Sequence, residues 1–301
     1  METSKVSVQP TVASRGLKQV MRKHPLFFFF LFTFAISWIF LAVEVLAVWG
    51  FLPIDSRFIL VVNVFFTFGP TFAAIITTGI IEGRAGLLQL RTRLKQWRAG
   101  WQWYLFILVG IPTLMLLALI IQPGILESFK GFTPIVIAQY PLYFFVVWFG
   151  GGPLGEEIGW RGFALPRIQL RYGPFLGTLL LGVPWAFWHF PQFLTPYQGG
   201  GPGTSLATLL TNFSLFFVFV MALAIIMTWL FNHTKGSIFF AVTTHASVDT
   251  PVVVLVPLFL AANFTSQTLA FALGFGVVAL LIVILTRGRL GYQPSKEQTR
   301  G

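Results

Sequence analysis

Eight runs of apolar residues, at roughly 26–49, 58–81, 102–121, 134–165, 174–196, 205–231, 237–261 and 266–286, account for most of this 301-residue chain. About 20 helical residues, each rising 1.5 Å, cross the ~30 Å hydrocarbon core of a bilayer, so runs of this length read as transmembrane spans. Backbone polar groups at that depth meet no water and have to be bonded within their own segment, which makes each run a helix. The expected fold class is all-α, a polytopic membrane protein of about eight transmembrane helices packed into one bundle. Residues are 56% hydrophobic and only 10% charged, which excludes an ordinary soluble domain.

A formal net charge of +11 would suit a nucleic-acid binder if the basic residues shared one folded patch. They fall instead in alternate connecting segments. Lys5, Arg15, Lys18, Arg22, Lys23, Arg84, Arg91, Arg93, Lys95, Arg98, Arg167, Arg171, Lys235, Arg287, Arg289, Lys296 and Arg300 all lie on one side of the eight-span arrangement, 17 of the 20 basic residues. Arg57 and Lys130 fall on the other side and Arg161 within a span. The positive-inside rule then puts both termini in the cytoplasm, in a multi-pass protein of the plasma membrane whose excess charge faces anionic headgroups and not nucleic acid. Residues 1–25 form a basic cytoplasmic N-terminal segment, 26–286 a single transmembrane domain, and 287–301 a cytoplasmic C-terminal tail. The first span is too long for a signal peptide and lacks a small-residue cleavage site, so it is expected to stay as an anchor. The chain has no cysteine, so it holds no disulfide, thiol nucleophile or thiolate metal site.

Two connecting segments carry patterns of their own. Leu87, Leu90, Leu94, Trp97 and Trp101 recur at helical spacing with Arg84, Arg91, Lys95 and Arg98 on another face, which predicts an interfacial amphipathic helix on the cytoplasmic leaflet. The stretch 197–204, YQGGGPGT, is made of helix breakers and reads as a flexible outer loop that either gates access or connects two spans.

Charge inside the spans is costly, so the sequence GGPLGEEIGWRGF at 151–163 needs a reason to exist, and chemistry is the default reason. Glu157 and Arg161 are four apart and pair on one helix face, whereas Glu156 is rotated away without a local partner. An unpaired carboxylate in a low-dielectric site is suited to act as a general base. Gly150-Gly151-Gly152-Pro153 predicts an interruption of the fourth span, with Pro153 in the first turn of a new segment lining a water-accessible cavity. His189, in PWAFWHFP, and the pair His245 and Asp249, four apart in TTHASVDT, supply imidazoles and a further carboxylate. Counted from the estimated cytoplasmic span ends at ~1.5 Å per residue, Glu156 lies ~13 Å deep, His245 ~12 Å, Asp249 ~18 Å and His189 ~22 Å, one shared layer around an intramembrane polar cavity. Such a set is the minimum kit for activating water and stabilising an oxyanion. Glu44 has no partner in this pattern and reads as a structural hydrogen-bonding residue.

These residues resemble the three signature motifs of the CPBP (CAAX protease and bacteriocin-processing, or Abi) intramembrane proteases, related to the type II CAAX prenyl endopeptidases. Glu156-Glu157 with Arg161, the aromatic WAFWH ending in His189, and His245 with Asp249 carry the match. Gly69-Pro70, Arg98 before Trp103-Tyr104, and Thr234 to Ser237 extend it over most of residues 60–250, with the core motifs in 150–250. The resemblance implies an intramembrane endopeptidase hydrolysing a peptide bond near the cytoplasmic leaflet of a membrane-associated peptide or protein. In it Glu156 and His189 activate water, His245 and Asp249 hold the oxyanion or the water, and Glu157 and Arg161 support them. Asp249 replaces the Asn of the best-studied prenyl endopeptidases and Trp185 replaces a Phe; an ionised Asp249 cannot donate to an oxyanion, so it would be protonated, or act as a ligand or orienter. No metal is favoured, because the HExxH helix of zincins is absent; zinc is the alternative, held by Glu156, His189, His245 and Asp249. A proton-coupled transporter and a catalytically silent scaffold or immunity protein are the competing functions.

Overall fold

The computed structural model describes residues 12–150 and 152–293, so Lys5, Gly151, Lys296 and Arg300 lie outside the described residues. A short basic helix, α1 (Val12–Lys23), leads into α2 (Pro25–Val48), whose Pro25 suits a first turn where the missing N–H is not needed. Next come α3 (Ser56–Thr67) and α4 (Gly69–Ile81), then α5 (Gly83–Leu94). α6 (Trp101–Leu105) and α7 (Ile111–Ile120) are joined by a π-helical turn over Phe106–Gly110. α8 (Pro134–Gly150), α9 (Gly152–Glu157) and α10 (Leu165–Tyr172) follow, the last two linked by a π-helical stretch over Ile158–Ala164. The chain closes with α11 (Pro174–Trp188), α12 (Leu206–His233), α13 (Ile238–Val254) and α14 (Phe264–Thr286). Among the described residues the β contact is an isolated bridge between Phe129 and Phe259.

Six helical stretches are long and apolar enough to cross a membrane: Pro25–Val48, Trp101–Ile120, Pro134–Tyr172, Leu206–His233, Ile238–Leu258 and Phe264–Thr286. The pair Arg57–Thr67 and Gly69–Ile81, bent by 40°, makes a seventh if taken as one span. The remaining expected span, 174–196, is helical only over the 15 residues of α11 and continues as 3-10 turns at Phe190–Leu194 and Pro196–Gln198. Pro191 and Pro196 remove backbone donors there, so the α-helix stops short and His189 caps its end inside the bundle. Pro153 does stand in the first turn of α9, as its position predicts.

The basic interfacial segment departs from its expected form. α5 ends at Leu94, and Lys95–Gly100 leaves helical geometry before Gly100 caps α6, so Trp97 and Trp101 do not extend one amphipathic helix. The cause is a set of competing bonds: Gln96 donates its amide to the Thr234 carbonyl at 3.3 Å, and the Ser237 hydroxyl donates to the Gln96 carbonyl at 2.6 Å. Arg93 turns inward and donates to the carbonyls of Gly236 (2.8 Å), Gly162 (2.8 Å) and Arg161 (3.1 Å). Burial, aided by nearby Arg167, brings the Arg93 guanidinium down to about 10, so it stays charged at neutral pH while clamping three segments together.

Close approach of backbones sets the position of α9. A Cβ added at Gly155 would lie 2.6 Å from the Thr67 carbonyl oxygen, and one at Gly159 would lie 2.6 Å from both the Cβ and the carbonyl oxygen of Pro70. Small residues four apart are how membrane helices approach without side chains between them. Gly159→Ala is therefore expected to destabilise the fold by about 1 to 3 kcal/mol, as overpacking against backbone does. Gly276→Ala, where a Cβ meets nothing within 4 Å, should leave the unfolding midpoint in detergent unchanged. Equal midpoints for the two variants would contradict the packing described.

Candidate active site

Ser37, twelve residues from Pro25 and eleven from Val48, donates its hydroxyl to the Phe66 carbonyl at 2.8 Å, and Trp38 donates its indole N–H to the Trp188 carbonyl at 3.0 Å. The α3–α4 bend and the end of α11 thus meet the middle of α2. Gly155 and Glu156 of α9, held against Thr67, share that level, as does His189 next to Trp188. The polar layer sits at mid-depth of α2.

Glu157, 0% exposed, is the hub of this layer. Its Oε1 accepts from Arg161 Nη1 at 2.9 Å and from His245 Nδ1 at 2.9 Å, joining the α9 segment to α13. The Arg161 guanidinium, also 0% exposed, lies 4.0 Å from the Trp185 ring centroid, a cation–π contact that offsets part of its lost hydration. Spacing of four puts Glu157 and Arg161 on one face, and the pair survives the π-helical stretch that starts at Ile158. The bond from Glu157 to His245 spans 88 positions and has no local signature.

Glu156 is partnered differently. Its Oε2 accepts from the indole N–H groups of Trp185 (2.8 Å) and Trp160 (3.3 Å), both neutral donors. His189 Nε2 stands 4.0 Å from the same oxygen, while its Nδ1 lies 2.8 Å from Gln192 Oε1. His245 Nε2 faces Asp249 Oδ2 at 3.6 Å, close but beyond a good hydrogen bond. Glu156, His189, His245 and Asp249 all line one cavity of about 120 Å³, with Trp185, Gln192, Tyr197 and Gln198 among its other walls. The structure therefore gathers the four candidate catalytic residues around a single space and keeps Glu157 and Arg161 behind it. Sequence reasoning missed Gln192, Tyr197 and Gln198, and did not assign Trp160 and Trp185 as donors. Gln192, polar and three positions after His189, was the readable signal. Glu44 is buried on α2 but is not among the residues lining this cavity.

A different trio has metal-ligand proximity: ligand atoms of Glu156, Glu157 and His245 lie within 4.8 Å of one another. This trio could hold a metal: Glu157 Oε1 accepts from Arg161 and His245 and Glu156 Oε2 accepts from two indoles, but the buried Glu157 Oε2 has no hydrogen-bond partner among the described residues. Among the described residues, His189 and Asp249 fall outside this trio, unlike the expected zinc set.

Residues 138–251 match the family model described as type II CAAX prenyl endopeptidase Rce1-like. The match covers 114 of the 301 residues, a similarity confined to that segment. The chain is also similar to a CAAX prenyl protease 2 of Methanococcus maripaludis, 31% identical over 99 residues. That match takes in 31% of this chain and 34% of the relative, so the chain spans about a third of the length of the curated protein it matches. The family segment begins within α8, ends within α13, and contains every residue of the polar layer from Glu156 to Asp249.

Removing one partner of a buried ion pair leaves an uncompensated charge and typically costs about 3 to 5 kcal/mol. Glu157→Gln is accordingly expected to lower unfolding stability in detergent by that order, because Arg161 and His245 lose the negative charge they share. A change below ~1 kcal/mol, the value for an exposed pair, would show that Glu157 is not the hub.

Proposed function

We propose that this chain is an intramembrane endopeptidase that hydrolyses a peptide bond with water activated by Glu156. The observation that carries the reading is the unequal partnering of two adjacent carboxylates. Glu157 is paired with Arg161 and His245 through one oxygen and does not line the cavity, whereas Glu156 faces it with neutral indole donors beside it. Glu156 takes a proton from water as the water oxygen attacks the scissile carbonyl carbon, and later gives that proton to the departing amine. His189, oriented through Nδ1 by Gln192, presents Nε2 beside Glu156 and helps position the water. His245, held at Nδ1 by Glu157 and protonated at both ring nitrogens, turns Nε2 to the cavity, where that N–H donates to the carbonyl oxygen as charge develops there. Asp249 orients that ring; an ionised Asp249 has no proton to donate to the oxyanion.

The substrate class is a membrane-associated peptide or protein, in keeping with the protease family that residues 138–251 match. Cleavage near the cytoplasmic leaflet is part of this reading, at the level where the polar layer is bonded to α2 through Ser37 and Trp38. A transporter needs a polar track across the whole thickness, and behind the cavity of this chain stand the buried Glu157–Arg161 pair and Trp160.

Glu156→Gln keeps shape and indole bonds but removes the base, and is expected to lower turnover roughly 100- to 10,000-fold with the unfolding midpoint retained. Comparing protein termini by mass spectrometry in cells making wild-type or Glu156→Gln chain identifies cleaved substrates; near-native turnover by the variant on those substrates would refute the role of the base. The reaction is also expected to proceed without stoichiometric zinc, so active purified protein should hold well below one zinc per chain and keep its activity through phenanthroline treatment. Zinc bound one per chain, lost in His245→Ala and restoring activity to stripped wild-type protein, would reassign the histidines as ligands.

A further inference from the structure

We propose that substrate reaches Glu156 from the non-cytoplasmic side, as an apolar peptide segment lodged in a chamber between α12, α13 and α14. The proposal rests on the assignment of the Glu156 layer as the reacting site and adds the route to it and the chemistry of what travels there.

The two ends of the bundle differ in charge and in closure. At one end lie Lys18, Arg22 and Lys23 of α1, Arg84, Arg91 and Arg93 of α5, Arg167 and Arg171 of α10, Lys235 between α12 and α13, and Arg287 and Arg289 after α14. Contacts tie these pieces into one face: Arg22 donates to the Ile81 carbonyl at 2.9 Å, Arg167 pairs with Glu82, and Asn232 donates to the Leu290 carbonyl at 3.0 Å. The opposite end is tied as well, by Trp49 donating to the Leu194 carbonyl at 2.9 Å and Lys130 N–H donating to the Leu258 carbonyl at 2.9 Å. Its described basic residues are Arg57 and Lys130. An asymmetry of this size makes the first end cytoplasmic.

The cytoplasmic end is shut beneath the site. Arg93 fastens Gly236, Gly162 and Arg161, and Ser237 fastens Gln96, directly under the Glu157–Arg161–His245 group, whose members are 0%, 0% and 6% exposed. A pocket does open at that end beside Arg93 and Lys235, but it shares no lining residue with the catalytic cavity.

On the other side the catalytic cavity runs on into a chamber of about 370 Å³. The two share Tyr197, Gln198, Phe216, Phe219, Val248 and Asp249. The added walls come from the later half of α13 (Val252, Val253) and the first turns of α14 (Phe264, Phe271), both toward the non-cytoplasmic end. Tyr197, at the shared rim, is 72% exposed, so the passage meets the surface there. Apart from Asp249 the chamber's polar groups are hydroxyls and amides, Tyr197, Gln198, Gln267 and Thr268, with no cation to hold a terminal carboxylate or a phosphate. Chemistry of this kind selects an uncharged, apolar stretch of peptide, and the neighbouring Asp249 selects against an acidic one.

The chain has no cysteine, so single cysteines report accessibility without background. A bulky membrane-impermeant maleimide added outside intact cells should label Tyr197→Cys, and should label Lys235→Cys only after permeabilisation. Labelling at position 197 should then lower cleavage of an apolar single-pass reporter by about tenfold or more relative to the same variant unlabelled, since misplacing a substrate by 1 Å already costs on the order of 100-fold. Labelling of Lys235→Cys in intact cells, labelling at 197 only after permeabilisation, or complete labelling at 197 with cleavage unchanged would each overturn the proposal. If no reporter shows Glu156-dependent cleavage, the hydrolase assignment fails while the labelling pattern still decides which way the chamber faces.

Discussion

Putting a carboxylate, a guanidinium and an imidazole where nothing is hydrated is tolerable only if each compensates the others, and the triad Arg161–Glu157–His245 does so with two contacts of 2.9 Å to one carboxylate oxygen. Desolvating isolated ions of this size costs several kcal/mol apiece, which no packing around Gly155 or Gly159 would offset. The triad also crosses from the α9 segment to α13, so the charge balance and the tertiary contact are one interaction. Its consequence for function is the freedom of the neighbour: with Glu157 engaged, Glu156 is left with two indole donors and an open face.

The rest of the bundle positions that pair. Glycines at 155 and 159 let α9 lie against the α3–α4 bend, Ser37 and Trp38 fix the bend and the end of α11 to the middle of α2, and Arg93 locks the start of α13. α11 then matters for being short. Because it stops at Trp188, the chain turns through 3-10 geometry at mid-depth and brings Gln192, Tyr197 and Gln198 back to the cavity that His189 faces.

Spans were legible because lipid leaves the backbone few options, and the Glu157–Arg161 pair because a spacing of four is a local rule that holds even where the helix becomes π. The candidate residues Glu156, His189, His245 and Asp249 stood out as charge and imidazole in apolar runs, and the structure gathers them around one cavity. What stayed hidden was long range. Glu157 meets His245 across 88 positions, Trp185 meets Glu156 across 29, and Arg93 meets Gly236 across 143; apolar periodicity carries no record of such partners. The segment after Leu94 departs from its expected helix for the same reason, since the Gln96 carbonyl and side-chain amide are both bonded to the α12–α13 turn.

If charge compensation is what this layer depends on, the effects of Glu157 and Arg161 should not add. The direct measurement is a double-mutant cycle on unfolding in detergent with Glu157→Gln, Arg161→Met and the two together. The account predicts that the double variant is clearly more stable than the sum of the single losses allows, with a coupling in the range of ~0.5 to 3 kcal/mol or above, because neutralising both removes a stranded buried charge. Additive losses, with the double variant as damaged as the two singles combined, would contradict it.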